Sequence, residues 1–201
     1  MKRQVRTQQL GGARAMILHR PHLNVQALTR QLRAIGLVVD EAWPELGPAA
    51  LAADFVFFDA DMGYDAQFPW AAGAAPVPMI AMIGSEAPGR IEWSLQIGAH
   101  AQLLKPITGS GVYSAVLVAR AAFDRERALA AEIADLRRRL DERQTVVRAV
   151  MLLAALGKTE AEAYAQLRQM AMAWQINFED AALRVVARYQ AGGSDDQRSR
   201  G

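Results

Sequence analysis

From Ala115 to Leu153 the chain contains neither proline nor glycine. Proline removes a helical donor and glycine adds backbone entropy, so this stretch is free to run as one uninterrupted helix. At about 1.5 Å per residue it would be roughly 60 Å long, too long for the inside of a small domain and well suited to connecting two. A heptad frame places Ile133, Leu140 and Val147 at a, with Leu129, Leu136, Arg143 and Val150 at d. Ala122 is a weaker d residue upstream, and Glu126 interrupts an a position. Branched residues at a with leucine at d favour a parallel two-stranded coil. The seam holds only about three good heptads, so it needs help from flanking domains. The expectation is a homodimer with its coil over residues 123–147, the plainer alternative being that the stripe packs on its own N-terminal domain.

Upstream, short apolar runs alternate with helical patterns. Ala13–Leu18, Leu37–Val39, Asp54–Asp59, Val77–Ile83 and Ala101–Leu104 read as strands. Between them, Val25, Leu28, Leu32 and Ile35 recur at helical spacing before a stop at Gly36. Ala49–Ala53 suggests a short helix, and Ile91–Gly98 another. Strands alternating with helices imply a parallel sheet covered on both faces. The expected fold is a doubly wound, five-stranded α/β domain over residues 13–122.

Gly98, Ala99, His100, Ala101, Gln102, Leu103, Leu104, Lys105 and Pro106 together resemble the fifth-strand signature of response-regulator receiver domains. Asp59, with Met62 after it, stands where that family places its phosphoacceptor loop. The resemblance implies a flavodoxin- or receiver-like sheet in the order 2-1-3-4-5, with its functional edge at the carboxyl ends of the strands. Aspartyl phosphorylation needs a magnesium ion held by hard oxygen ligands. Receivers supply an acidic pair after strand one, and this chain has His19, Arg20 and Pro21 there. The hydroxyl position after strand four falls at Ile83 or Gly84, with Ser85 one place late, and Gln102 replaces the switch aromatic. Asp59 and Lys105 are thus expected to form a vestigial phosphoacceptor pocket, with Asp59 paired to Lys105 or Arg20. The expected domain is a pseudo-receiver that serves for docking. The segment from Gln31 to Pro44 (Leu32, Ile35, Gly36 and Trp43 within it) further resembles the amide-responsive antiterminators of amidase operons. That resemblance implies an inhibitory, ligand-sensing partner related to periplasmic binding proteins.

After the long helix, Gly157 and Lys158 mark a stop, and Thr159 with Glu162 makes a capping box for a new helix ending near Trp174. Its apolar face carries Ala163, Leu167, Met170 and Ala171. Asn177 caps a further helix bearing Ala181, Ala182, Val185 and Val186. Small residues at Ala149, Ala163, Ala171 and Ala182 allow close helix approach. The residues Arg143–Leu153, Thr159–Met172 and Asp180–Ala182 resemble the ANTAR domain, a three-helix RNA-binding output module of bacterial transcription antiterminators. The resemblance implies an RNA-binding bundle over residues 143–190 with no catalysis and no cofactor. The RNA contacts expected are Arg143, Arg148, Lys158, Arg168 and Arg184 for phosphate, and Tyr164, with Trp174, for stacking. Arg143 and Arg168 match basic positions of the family. Ala149-Val150-Met151 departs from the family's Ala-Lys-Gly and removes one cation.

Composition narrows the alternatives. There is no cysteine, and the three histidines form no helical pair, which excludes disulfides, thiolate metal sites and a helical zinc motif. The net charge of +2 says little about nucleic acid. Arg137, Arg138 and Arg139 read equally as a local basic cluster for nucleic acid and, lying among Glu132, Asp135, Asp141 and Glu142, as a solvated helix face. No apolar stretch is long enough for a bilayer, and no signal peptide is evident, so a cytoplasmic protein is expected. Residues 1–12, with Lys2, Arg3 and Arg6, are expected to be a flexible basic segment, and 191–201 a disordered tail. The functional expectation is a dimeric antiterminator that binds hairpins in nascent leader mRNA. The alternative is a protein-binding adaptor whose bundle has lost RNA, which Val150 favours. A DNA-binding regulator ranks last, because the final helix offers only Arg184 and Arg188 for a groove.

Overall fold

The computed structural model describes residues 10–198. They form two compact units that divide between Ala128 and Leu129.

The first unit is a five-stranded parallel sheet in the order 2-1-3-4-5. Its strands are β1 (Arg14–Leu18), β2 (Val38–Ala42), β3 (Phe55–Asp59), β4 (Met79–Ile83) and β5 (Ala101–Leu104). Alternate side chains build two cores. Ala15, Ile17, Phe55, Phe57, Ile80, Met82 and Leu103 meet α1 (Leu23–Ala34) through Val25, Leu28 and Leu32 on one face. The same face receives Val112, Ala115, Val116 and Ala119 from the first turns of α3 (Val112–Ala154). Met16, Leu18, Val56, Phe58, Met79, Ala81 and Ile83 face the other way, against Ile97 of α2 (Pro88–Ile97) and Ala50. Gly98, at φ 98°, terminates α2 in a left-handed conformation that a side chain would resist.

Four local expectations are revised. β2 extends to Ala42 rather than ending at Val39, because the polar Asp40 and Glu41 are held from neighbouring elements. Arg14 Nη2 lies 2.8 Å from Asp40 Oδ2, and the Thr29 hydroxyl donates to Glu41 at 3.2 Å. The short helix at Ala49–Ala53 is a 3₁₀ turn over Pro48–Ala52. Leu10, placed by the sequence in a flexible segment, is buried in the α1-side core, while residues 1–9 of that segment lie outside the described residues. The first unit also reaches beyond residue 122, since Phe123 is still buried.

The second unit contains the remainder of α3, with α4 (Glu160–Trp174) and α5 (Phe178–Arg198). Thr159 caps α4. Its hydroxyl accepts the Glu162 N–H, and the Glu162 carboxylate accepts the Thr159 N–H at 2.9 Å. The Thr159 backbone bond, then its hydroxyl, holds the Glu162 carboxyl below the ordinary range. Asn177 Oδ1 likewise accepts the Asp180 N–H at 2.6 Å and caps α5. The core is Ala149, Val150, Leu153, Ala163, Leu167, Ala171, Ala181, Ala182, Val185 and Val186. α5 continues past residue 190, where the bundle was expected to end, and residues 199–201 of the expected tail lie outside the described residues.

Candidate functional site

Two regions carry polar groups that core packing leaves unexplained. One is the C-terminal edge of the sheet. Asp59 ends β3 with its side chain 3% exposed. Its Oδ1 accepts Lys105 Nζ at 2.5 Å and the Asp61 N–H at 3.0 Å. Its Oδ2 lies 3.2 Å from Nε2 of His19, which follows β1 and is equally buried. The His19 Nδ1 sits 2.6 Å from the Arg20 carbonyl oxygen, an acceptor, so that nitrogen carries a proton. Arg20 is exposed and makes no ion pair with Asp59. Of the two expected partners of Asp59, Lys105 is present and Arg20 is replaced by His19.

Asp61, which sequence reasoning passed over, has the richer environment. Its carboxylate accepts Lys105 Nζ at 2.8 Å and the N–H groups of Gly84 and Ser85 at 2.9 and 3.0 Å. Burial alone would raise its pKa. The Lys105 hydrogen bond and charge, with the Ser85 and Gly84 N–H groups, outweigh burial and hold the carboxyl below the ordinary range. The available signal was an acidic residue two places after Asp59, a glycine after β4 and a lysine after β5. Among the described residues no three histidines or carboxylates gather as a metal site.

The other region is the surface of the second unit. Leu129, Ile133, Leu136, Leu140 and Val147 form a stripe on α3, each between 49% and 59% exposed. Val150, placed at d by the heptad frame, leaves this stripe: it is 8% exposed and packs in the three-helix core. The helix turns that position toward α4 and α5, so the seam ends at Val147. Arg143, Arg148, Lys158, Arg168 and Arg184 are exposed, and none forms an ion pair among the described residues. By contrast, Arg138 bridges Asp135 and Glu142, and Arg139 pairs with Asp135 at 2.8 Å.

The structure brings some of these residues together and not others. Tyr164 and Arg168 line one cleft with Met172, Gln175 and Phe178. Tyr164 is 47% exposed, and its ring lies 4.9 Å from that of Phe178. The Arg184 guanidinium sits 5.8 Å from the Trp174 ring centre, close enough for a cation–π contact. Arg143, Arg148 and Lys158 lie on or just after α3, outside that cleft.

Along the chain, a receiver-shaped unit is followed by the long helix α3 and a three-helix bundle. The family model "AmiR, N-terminal" matches residues 13–120, more than half of the chain, and the ANTAR domain model matches residues 134–186. The chain belongs to the AmiR-like family of ANTAR-domain antiterminators, RNA-binding regulators of transcription antitermination.

No curated protein is similar enough to match the chain. Among solved structures, a response regulator from Thermotoga maritima is 17% identical, covering 56% of this chain and 98% of its own, with a TM-score of 0.42. Full-length FixJ from B. japonicum is also 17% identical, covering 89% and 97%, with a TM-score of 0.44. These likenesses are too distant to bear on function; the strand order itself defines the fold. No helix among the described residues is long and apolar enough to cross a membrane.

Proposed function

We propose that the protein acts as a homodimer, grips paired hairpins in a nascent leader transcript, and stabilises them against terminator formation. A ligand-sensing protein related to periplasmic binding proteins controls it, rather than phosphorylation of Asp59, and no covalent catalysis is involved. The observation that carries this reading is the apolar stripe from Leu129 to Val147, which its own unit leaves half exposed. Burying these side chains against a second copy is favourable at about 25 cal/mol per Å² of apolar surface. A parallel coil sets two bundles side by side, as two hairpins require.

Arg143, Arg148, Lys158, Arg168 and Arg184 supply the phosphate contacts, and Tyr164 stacks on a loop base. Among the described residues these four arginines have no salt-bridge partner, which supports this, since binding RNA then breaks no such pair. Control by a partner rests on the family resemblance and on the sheet edge. Where magnesium would need carboxylates, the imidazole of His19 fills the place beside Asp59, and Lys105 already neutralises that carboxylate.

The second reading is an adaptor that has lost RNA. Val150 favours it, because an apolar residue buried in the bundle stands where the family carries a lysine. Transcription in vitro from a template carrying the leader and its terminator separates the two. The antiterminator increases readthrough in proportion to protein; an adaptor leaves termination unchanged.

A further inference from the structure

Lys105 Nζ and two successive N–H groups, from Gly84 and Ser85, converge on one point at the C-terminal edge of the sheet. Adjacent backbone N–H groups with a nearby ammonium form an anion-binding concavity. That concavity is already full: the point of convergence is the Asp61 carboxylate. We propose that Asp61 is the resident anion of an oxyanion cradle, and that its side chain keeps free oxyanions such as inorganic phosphate out. The proposal rests on the reading that Asp59 is not a phosphate switch, and it supplies a chemical reason for it.

The construction of the site supports an internal ligand. The donors come from the exits of β4 and β5, and the occupant comes from the loop after β3. Both carboxylate oxygens are used, Oδ1 by Gly84 and Ser85 and Oδ2 by Gly84 and Lys105. Charge-assisted bonds of this kind are the stronger ones. A side chain at residue 84 would place its Cβ 2.7 Å from Asp61 Oδ2, so the carboxylate reaches the cradle only because Gly84 has none. Gly84 and Ser85 are exposed, which leaves the cradle open to solvent once the side chain at 61 is shortened. With the carboxylate removed, a phosphate monoanion would find Nζ and the two N–H groups as donors, and its own O–H would donate to the buried Asp59 carboxylate. Asp59 would repel the dianion, so binding should be strongest below neutral pH.

The full chain is compared as wild type, Asp61→Ala and Asp61→Ala/Lys105→Ala. Inorganic phosphate is titrated against sodium chloride at matched ionic strength, with thermal unfolding and the phosphorus-31 line width as readouts. The expected result is no phosphate-specific effect on the wild type. Asp61→Ala should show a saturable rise in unfolding temperature with broadening of the phosphate line, both lost in the double variant. An Asp61→Ala protein insensitive to phosphate, or a wild type that responds equally, overturns the proposal.

If Asp61→Ala does not fold, the wild-type amide resonances decide. Those of Gly84 and Ser85 should move together as Asp61 protonates in acid, and independence from that titration overturns the proposal. Incubation of the wild type with acetyl phosphate and magnesium distinguishes the two failures. A phosphorylated Asp59 sinks the underlying reading along with the cradle. An unphosphorylated chain whose Asp61→Ala variant ignores phosphate sinks the cradle alone.

Discussion

Nε2 of His19 lies 3.2 Å from Oδ2 of Asp59, and both side chains are 3% exposed. The imidazole thus occupies the neighbourhood in which a receiver would gather carboxylates around a metal. Because Asp59 Oδ1 is taken by Lys105 and the Asp61 N–H, His19 is the polar group facing Oδ2. His19→Ala should destabilise the first unit by about 2–5 kcal/mol, because it empties the place of a buried ring whose Nε2 has no hydrogen-bond partner to lose. Chemical denaturation checks this, and an unchanged midpoint would show that the site closes over the missing ring at no cost.

Asp61 makes stability depend on acid. Its folded-state pKa lies below the ordinary value, so the folded state favours the ionised form. Its contribution is complete above the unfolded-state pKa, about 3.9, and is lost as pH falls through the lower, folded value. Asp61→Asn should flatten the stability profile of the first unit below about pH 4 relative to wild type. Unfolding measured from pH 2 to pH 6 tests it; parallel profiles would mean that Asp61 protonates alike in both states.

Leu136 and Leu140 are each 56% exposed in the single chain. Replacing both with glutamate puts charges into the proposed seam and removes nothing from the three-helix core. Sedimentation equilibrium should show dimers of the wild type and monomers of the double variant, with helical content little changed. A variant that remains dimeric would place the dimer contact elsewhere.

Leu167 is fully buried between α4 and its neighbours. Leu167→Ala should cost about 2–5 kcal/mol, transfer and cavity terms together. Hydrogen exchange should register the loss in residues 146–189 and spare the sheet, since the two units have separate cores.

What the sequence disclosed follows from how each element is buried. β3 and β4 are covered on both faces, so Phe55–Phe58 and Met79–Ile83 stand out as continuous apolar runs. β2 lies at the sheet edge, and there Asp40 and Glu41 imitate a loop until their partners Arg14 and Thr29 are placed in space. The capping box at Thr159 was legible because it is local, four residues long and written in side-chain types. Val150 misled for the opposite reason: a heptad pattern describes one face of one helix, and the arrival of α4 and α5 decides which face is core. Asp61 and His19 were hidden for a similar cause. The role of Asp61 depends on Gly84, Ser85 and Lys105, and that of His19 on Asp59, all brought from other strands, and neither depends on spacing along the chain.

The central claim is that this AmiR-like regulator binds leader RNA through its ANTAR bundle, and a binding series on that RNA tests it most directly. Purified protein, freed of any inhibitory partner, is titrated onto the leader transcript of its own operon at increasing salt, alongside Arg143→Ala and Arg168→Ala. Hairpin-dependent binding should weaken with salt, and each substitution should reduce affinity and lower the salt slope by about 1. Binding no tighter than to a scrambled RNA, from a folded dimer, would contradict the antiterminator and leave the adaptor.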